Sequence, residues 1–249
     1  MHFYKKVYFL KSWQYWFKDE WKLAHLFSFV AFLHIKKRNK KNSWCFQENY
    51  FTLEIDLLKD WDTINYNFAK QIRQQTTQAV QEGITYQFHE DIKGFETFFN
   101  EFATNKGIFL TSERRLQEMV PYLKLVYAMK DKTILAAHSY IFDKDVGIVR
   151  HFHSGTRVAD ELFDNKIIGK ANKFLTCKCI EHFKNEGFTT FDFGGVEYPP
   201  VEKITAGIYN YKMLFGGTLV ICYNYYTPLY YLLKFAGKNF WFLGKKTTV

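Results

Sequence analysis

Asp192 stands between two phenylalanines in Phe191-Asp192-Phe193-Gly194-Gly195. The alternation reads as a strand, and the paired glycines read as its abrupt end. A carboxylate there has two readings. It acts on a bound molecule at the lip of a cleft, or it accepts hydrogen bonds from the loop N–H groups that follow, which is the commoner use. Gly194 and Gly195 let a substrate or cofactor lie against the backbone. Histidines make a second grouping. His151 and His153 are two apart on a predicted strand and so share a face. If the preceding hairpin turns at Lys144-Asp145, Asp143 pairs with Val146 and His138 falls opposite His151. Three imidazoles on one face would offer a general base. No carboxylate is placed to complete a metal site, and no metal is expected. The plainer reading is polar residues beside a wet cleft.

A third grouping, Lys166, Gly169, Lys170 and Lys173, lies at the start of a predicted helix. The first turn of a helix offers free N–H groups and the positive end of the dipole, a place for phosphate. Glycine inside a helix costs about 1 kcal/mol relative to alanine. Gly169 therefore needs a reason: close approach of an anion, or tight packing of the helix on a sheet.

The elements that must position these groups follow from periodicity. Trp61, Ile64, Phe68, Ile72 and Ala79 keep helical spacing and predict one helix from about Asp60 to Glu82, with Gly83 ending it. Phe95, Phe98, Phe99 and Phe102 make a second apolar stripe, which reads as core packing. A short helix is capped by Ser112 and stops before Pro121. Three β-type runs joined by short polar turns follow, an antiparallel meander from Leu123 to His153. Helix Asn165 to Glu186 and strand Phe188 to Phe193 then give the pattern of a parallel crossover unit. The expected fold class is α+β (α/β): a mixed, mainly antiparallel sheet flanked by helices, with one parallel strand–helix–strand unit. Residues 1–50 are expected to be an N-terminal extension whose two β-type runs form a hairpin around Lys36, Lys37, Arg38, Lys40 and Lys41. Residues 51–226 form the core. Residues 227–249 make an aromatic, basic C-terminal helix, suited to a membrane interface or to packing on the core.

Composition sets the outer bounds. Of 249 residues, 47% are hydrophobic and 20% aromatic, which excludes a disordered chain. The net charge of +9 favours anionic partners such as nucleic acid, phosphorylated donors or acidic lipid, or serves solubility alone. Cys45, Cys177, Cys179 and Cys222 form no C-x-x-C pair, so reduced thiols and a cytoplasmic location are expected. The longest uncharged run near the start, "LAHLFSFVAFLHI", is too short to span a bilayer.

Lys166-x-x-Gly169-x-Ala171 resembles the pyrophosphate loop of GNAT acyltransferases. More specifically, Phe191 to Gly195, then Gly207-Ile208, Tyr211-Lys212 and Phe215-Gly216-Gly217, resemble the Fem-like branch, which adds amino acids to peptidoglycan precursors. The "EIDL" at Glu54 to Leu57 and the helix with Arg73 resemble that family's approach to its core. The resemblance covers roughly Thr52 to Tyr225, the length of one domain. It implies a GNAT-like core and direct transfer of an acyl or aminoacyl group to an amine, on a cell-envelope precursor or a related small or lipid-linked molecule. The donor would be acetyl-CoA or another acyl-CoA held by Lys166, Ile168, Gly169, Lys170 and Ala171, or an aminoacyl-tRNA. Lys212 would steady the oxyanion, with Asp192, His151 and His138 as the remaining catalytic candidates. Gly194, Gly195, Tyr211, Arg73 and His153 would line the substrate site. A lipid-linked acceptor would place the protein at the inner membrane face. An N-acyl amino acid synthase using acyl carrier protein, and a non-catalytic protein binding nucleic acid or membrane, are the alternatives.

Overall fold

The computed structural model describes residues 1–7, 10–38 and 44–234. The chain divides into two compact units, Met1–Tyr50 with Ile221–Val249, and Phe51–Val220. In the first unit, β1 (His2–Val7) pairs antiparallel with β2 (Leu10–Trp16), and β2 runs parallel to β3 (Val30–Ile35). The expected hairpin between β3 and β4 (Phe46–Asp56) does not form: β10 (Thr218–Tyr226) lies between them. Every residue of β3 is buried, so it needs a strand on both sides rather than an open edge. Val30, Phe32, Ile35 and Tyr225 form the unit's core, and Trp21 and Tyr15 pack on Phe32. Lys36, Lys37 and Arg38 are exposed; Lys40 and Lys41 lie outside the described residues. The expected C-terminal helix is present over residues 228–234, and its remainder, with Lys238, Lys245 and Lys246, lies outside them.

In the second unit the sheet runs β4, β9 (Thr190–Val196), β8 (Ile148–Thr156), β7 (Thr133–Asp143), β6 (Leu123–Lys130) and β5 (Thr85–His89). All neighbours are antiparallel except β8 and β9, the parallel pair. This is the mixed α+β architecture that the periodicities imply. The meander strands β6 and β7 are buried on both faces, which requires a helical layer on each side. On one face α5 (Asn165–Asn185) packs with α2 (Lys70–Gln81); on the other lie α3 (Ile92–Lys106) and α4 (Glu113–Gln117). Along α3, Phe95, Phe99 and Ala103 are buried at i, i+4 and i+8, and Gly107 ends the helix in the left-handed region.

The helix expected from Asp60 to Glu82 is broken into α1 (Trp61–Asn67) and α2. Phe68 and Ala69 turn extended, which buries the Phe68 ring against Trp61 and Phe215 and lets the Ala69 N–H donate to Leu214 O at 2.8 Å. Arg73 Nη1 then donates to the carbonyls that the break exposes: Tyr66 O at 2.7 Å, and Phe68 O. Among the described residues no helix is long and apolar enough to cross a membrane.

Candidate active site

The parallel pairing of β8 and β9 stops at Arg150↔Asp192, although β8 continues to Thr156 and β9 to Val196. The two strands therefore part at their C-terminal ends, where a crevice forms in sheets of this kind. A bulge sits on each strand at that point. On β9, Phe193 and Gly194 together oppose Leu53, and Gly194 has φ +76. A left-handed glycine in that place bends the strand, and a Cβ on Gly194 would meet His151 O at 2.8 Å. On β8, Ser139 faces His153 while Tyr140 faces His151, so Phe152 is the extra residue.

The β8 bulge overturns the expected three-histidine cluster. The turn before β8 spans residues 144–147, Asp143 pairs with Ile148, and His138 faces Ser154. Because Ser139 and Tyr140 point to opposite faces, their partners His153 and His151 do too. His153 lies on the α3 side, its Nδ1 2.8 Å from Ser139 Oγ and its ring 4.7 Å from that of Phe99. Burial and the Arg115 charge lower its pKa to about 3. It lies across the sheet from the other candidates, so its place in the substrate site is not supported.

On the α5 side a polar chain crosses the core. Tyr140 Oη lies 3.0 Å from His138 Nδ1, His138 Nε2 lies 2.7 Å from Asn172 Oδ1, and Asn172 Nδ2 donates to Tyr211 Oη at 3.0 Å. An amide oxygen only accepts, so His138 carries its proton on Nε2 and accepts from Tyr140. Both ring nitrogens are used, the side chain is fully buried, and burial lowers its pKa to about 4. His138 is a structural imidazole rather than a catalytic base. His151 differs. Its ring lies 4.3 Å from His138 and stacks on Tyr140, and its pKa is held well below 6.5 by burial, then by His138 and Lys212. The His153 backbone hydrogen-bonds one ring nitrogen, while the buried Nε2 has no hydrogen-bond partner among the described residues. A bond that favours the charged imidazole is donated by the ring, which leaves Nε2 with a lone pair.

Asp192 explains the strand end. Its Oδ2 accepts from Arg150 Nη1 at 3.2 Å, and its Oδ1 accepts from Gly194 N at 2.6 Å and from Thr52 Oγ1. Thr52 Oγ1 also lies 2.9 Å from Gly194 O. Fully buried and paired with a buried arginine, this carboxylate shapes the Gly194 bulge; it is not placed to take a proton from an amine. Sequence reasoning missed Arg150, Thr52 and Asn172. An arginine inside the apolar run "GIVRHFH" was the available signal, since a buried acid needs a cation.

Lys212 comes from α6 (Lys203–Met213), a helix with no fully buried residue. Its Nζ donates to Gly195 O at 2.8 Å and Gly194 O at 3.2 Å, at the lip where β9 leaves β8. Burial, then the Arg150 charge, lowers its pKa to about 8, with Asp192 opposing. Tyr211 beside it hangs from Asn172, so the polar chain ties α6 to the sheet. The site therefore gathers Lys212, His151, Gly194 and Gly195, with Asp192, His138 and Tyr211 supporting them. Arg73 is engaged with the end of α1.

No protein-family model and no curated protein matches the sequence. Solved structures do. A crystal structure of FemX aligns with TM-score 0.68 at 12% identity, over 92% of this chain and 85% of that one. The chain has a Fem-like fold. The C-terminal domain of a putative lysylphosphatidylglycerol synthetase from Agrobacterium fabrum aligns at 0.55 and 13% identity, over 80% of this chain and 68% of that one. L-PGS from Bacillus licheniformis aligns at 0.54 and 13%, over 83% and 71%.

The residues expected to hold coenzyme A fit that task poorly. Lys166 to Ala171 already lie within α5, and Ile168 and Ala171 face the core. Asp164 caps the helix, its Oδ1 accepting from Lys166 N and Ile167 N at 2.9 Å each. The amides that would meet a pyrophosphate thus meet a carboxylate instead. Lys170 is ion-paired with Glu82. Gly169 has open space around its missing Cβ, so packing does not require it.

Proposed function

We propose that this protein is an aminoacyl or acyl transferase that passes the group directly from an activated donor to an amine. The observation that carries the reading is Lys212, a partly buried lysine seated on the Gly194 and Gly195 carbonyls at the mouth where two bulged parallel strands part. The amine nitrogen attacks the donor carbonyl, and a C–N bond forms as the bond to the donor's leaving atom breaks. The Lys212 ammonium steadies the negative charge that develops on the carbonyl oxygen. The proton leaving the amine passes to the departing group, so that the amide forms and the donor leaves neutral.

The carboxylate cap on α5 favours a donor other than coenzyme A, and an aminoacyl-tRNA is the donor we favour. The Fem-like fold supports that choice, and one similar structure carries a name, lysylphosphatidylglycerol synthetase, that describes an aminoacylated lipid. Purified protein given charged tRNA, acyl-CoA or acyl carrier protein with a panel of amines tests the reading. Transfer from charged tRNA, reduced about a hundredfold or more in Lys212→Met, is the expected result. Transfer from acyl-CoA alone, or turnover unchanged in Lys212→Met, would refute it.

A further inference from the structure

Lys212 brings a primary amine of the protein's own to the point where β8 and β9 part, and the way its nitrogen is held decides what else it can do. Nζ is tetrahedral. One position is the bond to Cε. Two are N–H groups donated to Gly195 O at 2.8 Å and Gly194 O at 3.2 Å, its two hydrogen bonds among the described residues. The fourth position points away from both carbonyls. In the ammonium it is a third N–H. In the neutral amine it is a lone pair, while the two seated N–H groups keep their acceptors.

The surroundings favour the amine. Burial first, then Arg150 on β8, disfavour the cation, and Asp192 on β9 restores part of it. His151, near Lys212 on β8, is held neutral, by burial first. An amine desolvated beside a cation is an arrangement that makes lysine nucleophilic. A nitrogen placed to hydrogen-bond a donor's carbonyl oxygen is also near the roughly 3–3.5 Å from which attack on the carbonyl carbon begins.

We infer that Lys212 is an acylation site of the protein itself: with an activated ester in the crevice and no acceptor amine, Nζ attacks the acyl carbon. The N–C bond forms, the ester C–O bond breaks, and the proton from Nζ goes to the departing oxygen, which leaves as an alcohol. The product is an uncharged amide on Lys212. It can neither attack again nor steady an oxyanion, so the site is switched off until the amide is removed. A bound acceptor protects Lys212 by taking the acyl group first. That the protein's own donor enters this crevice rests on the transferase reading; the reactivity of Nζ does not.

N-succinimidyl acetate, given in limiting amount to the native full chain between about pH 6.5 and 9.5, tests that reactivity without any substrate. Mass spectrometry of tryptic peptides gives the acetylation rate at each lysine, with exposed Lys59 and Lys106 as references. The expected result at pH 8 is acetylation of Lys212 at least about fivefold faster than of either reference. Its rate should level off above about 8 while theirs still climb. Protein given charged tRNA without an acceptor should gain an aminoacyl mass on Lys212 and lose activity in proportion. Lys212 acetylated no faster than Lys59 and Lys106, or not at all, overturns the inference. So does transfer from charged tRNA to added amines with Lys212 left unmodified when the amines are withheld. Rapid acetylation of Lys212 without transfer from any donor would uphold the inference and sink the transferase reading, so the two failures remain separate results.

Discussion

Lys212 shows how a residue's surroundings decide its chemistry. Its pKa of about 8 lies below the ordinary 10.5 because burial and Arg150 disfavour the cation more than Asp192 restores it. Two consequences follow. If the ammonium does the work, the transfer rate declines as pH rises through about 8, and Lys212→Arg, which keeps its charge, loses that decline. The stability effect has a definite sign. Below pH 8 the folded state carries a proton that it binds more weakly than the unfolded chain does. Stability contributed through Lys212 therefore rises as pH goes from about 8 to 10.5. Urea unfolding across that window should show the rise in wild type and a smaller one in Lys212→Met. Equal slopes would mean that Lys212 titrates as a surface lysine. Asp192 is the contrasting case: the same neighbourhood, but every polar atom directed to holding a bulge.

At the scale of elements, turns and bulges matter more than strand length. The β6–β7 hairpin turns on Asp131 and Lys132, with φ 48 and 67 and Lys130 pairing with Thr133. A two-residue turn with both residues left-handed suits Asn-Gly, and here neither residue is glycine. Asp131→Asn with Lys132→Gly should stabilise the protein by about 1 kcal/mol, seen as a higher midpoint in thermal or urea unfolding. No change would mean that the strain is absorbed elsewhere in the hairpin. The bulge at Phe152 has the larger functional effect. It sends His153 toward α3 and leaves His151 beside Lys212, a division that strict alternation does not allow. Element α6 escapes periodicity for a different reason. It buries no residue completely, so no apolar stripe announces it; it is tied through the Tyr211–Asn172 bond and the Lys212 contacts with the β9 glycines.

For the whole molecule, buried neutral histidines set a limit in acid. His138 and His153 have pKa values of about 4 and 3, and His151 is also held well below 6.5, burial being the first cause in each. As pH falls below about 6.5 the unfolded chain takes up protons that these folded sites refuse. Each histidine then removes about 1.4 kcal/mol of stability per pH unit until its folded pKa is reached. The total, set against the roughly 5–15 kcal/mol of an ordinary domain, predicts unfolding in mild acid. Denaturant midpoints at pH 7 and pH 5 check this; equal midpoints would show that the three rings take up protons in the folded state. His138→Gln should lessen the slope if its fold survives.

Sequence alone determined the local elements whose period is unmistakable: the α3 phenylalanine stripe, the long α5, the three-strand meander and the parallel β8–α5–β9 unit. Each is a repeat of 3.6 or 2 residues bounded by glycine, proline or a polar cap, and such signals are written in neighbouring residues. It also marked the Phe191–Gly195 strand end and, through family resemblance, Lys212. What only the tertiary structure decided was set by partners distant in the chain. β10 rather than β4 pairs with β3, because a strand buried throughout needs neighbours on both sides. Arg150 and Thr52 meet Asp192 across two different strands. A single extra residue on β8 separates His151 from His153. Register and the pairing of buried charges depend on which strands become neighbours, and that information is absent from any one segment.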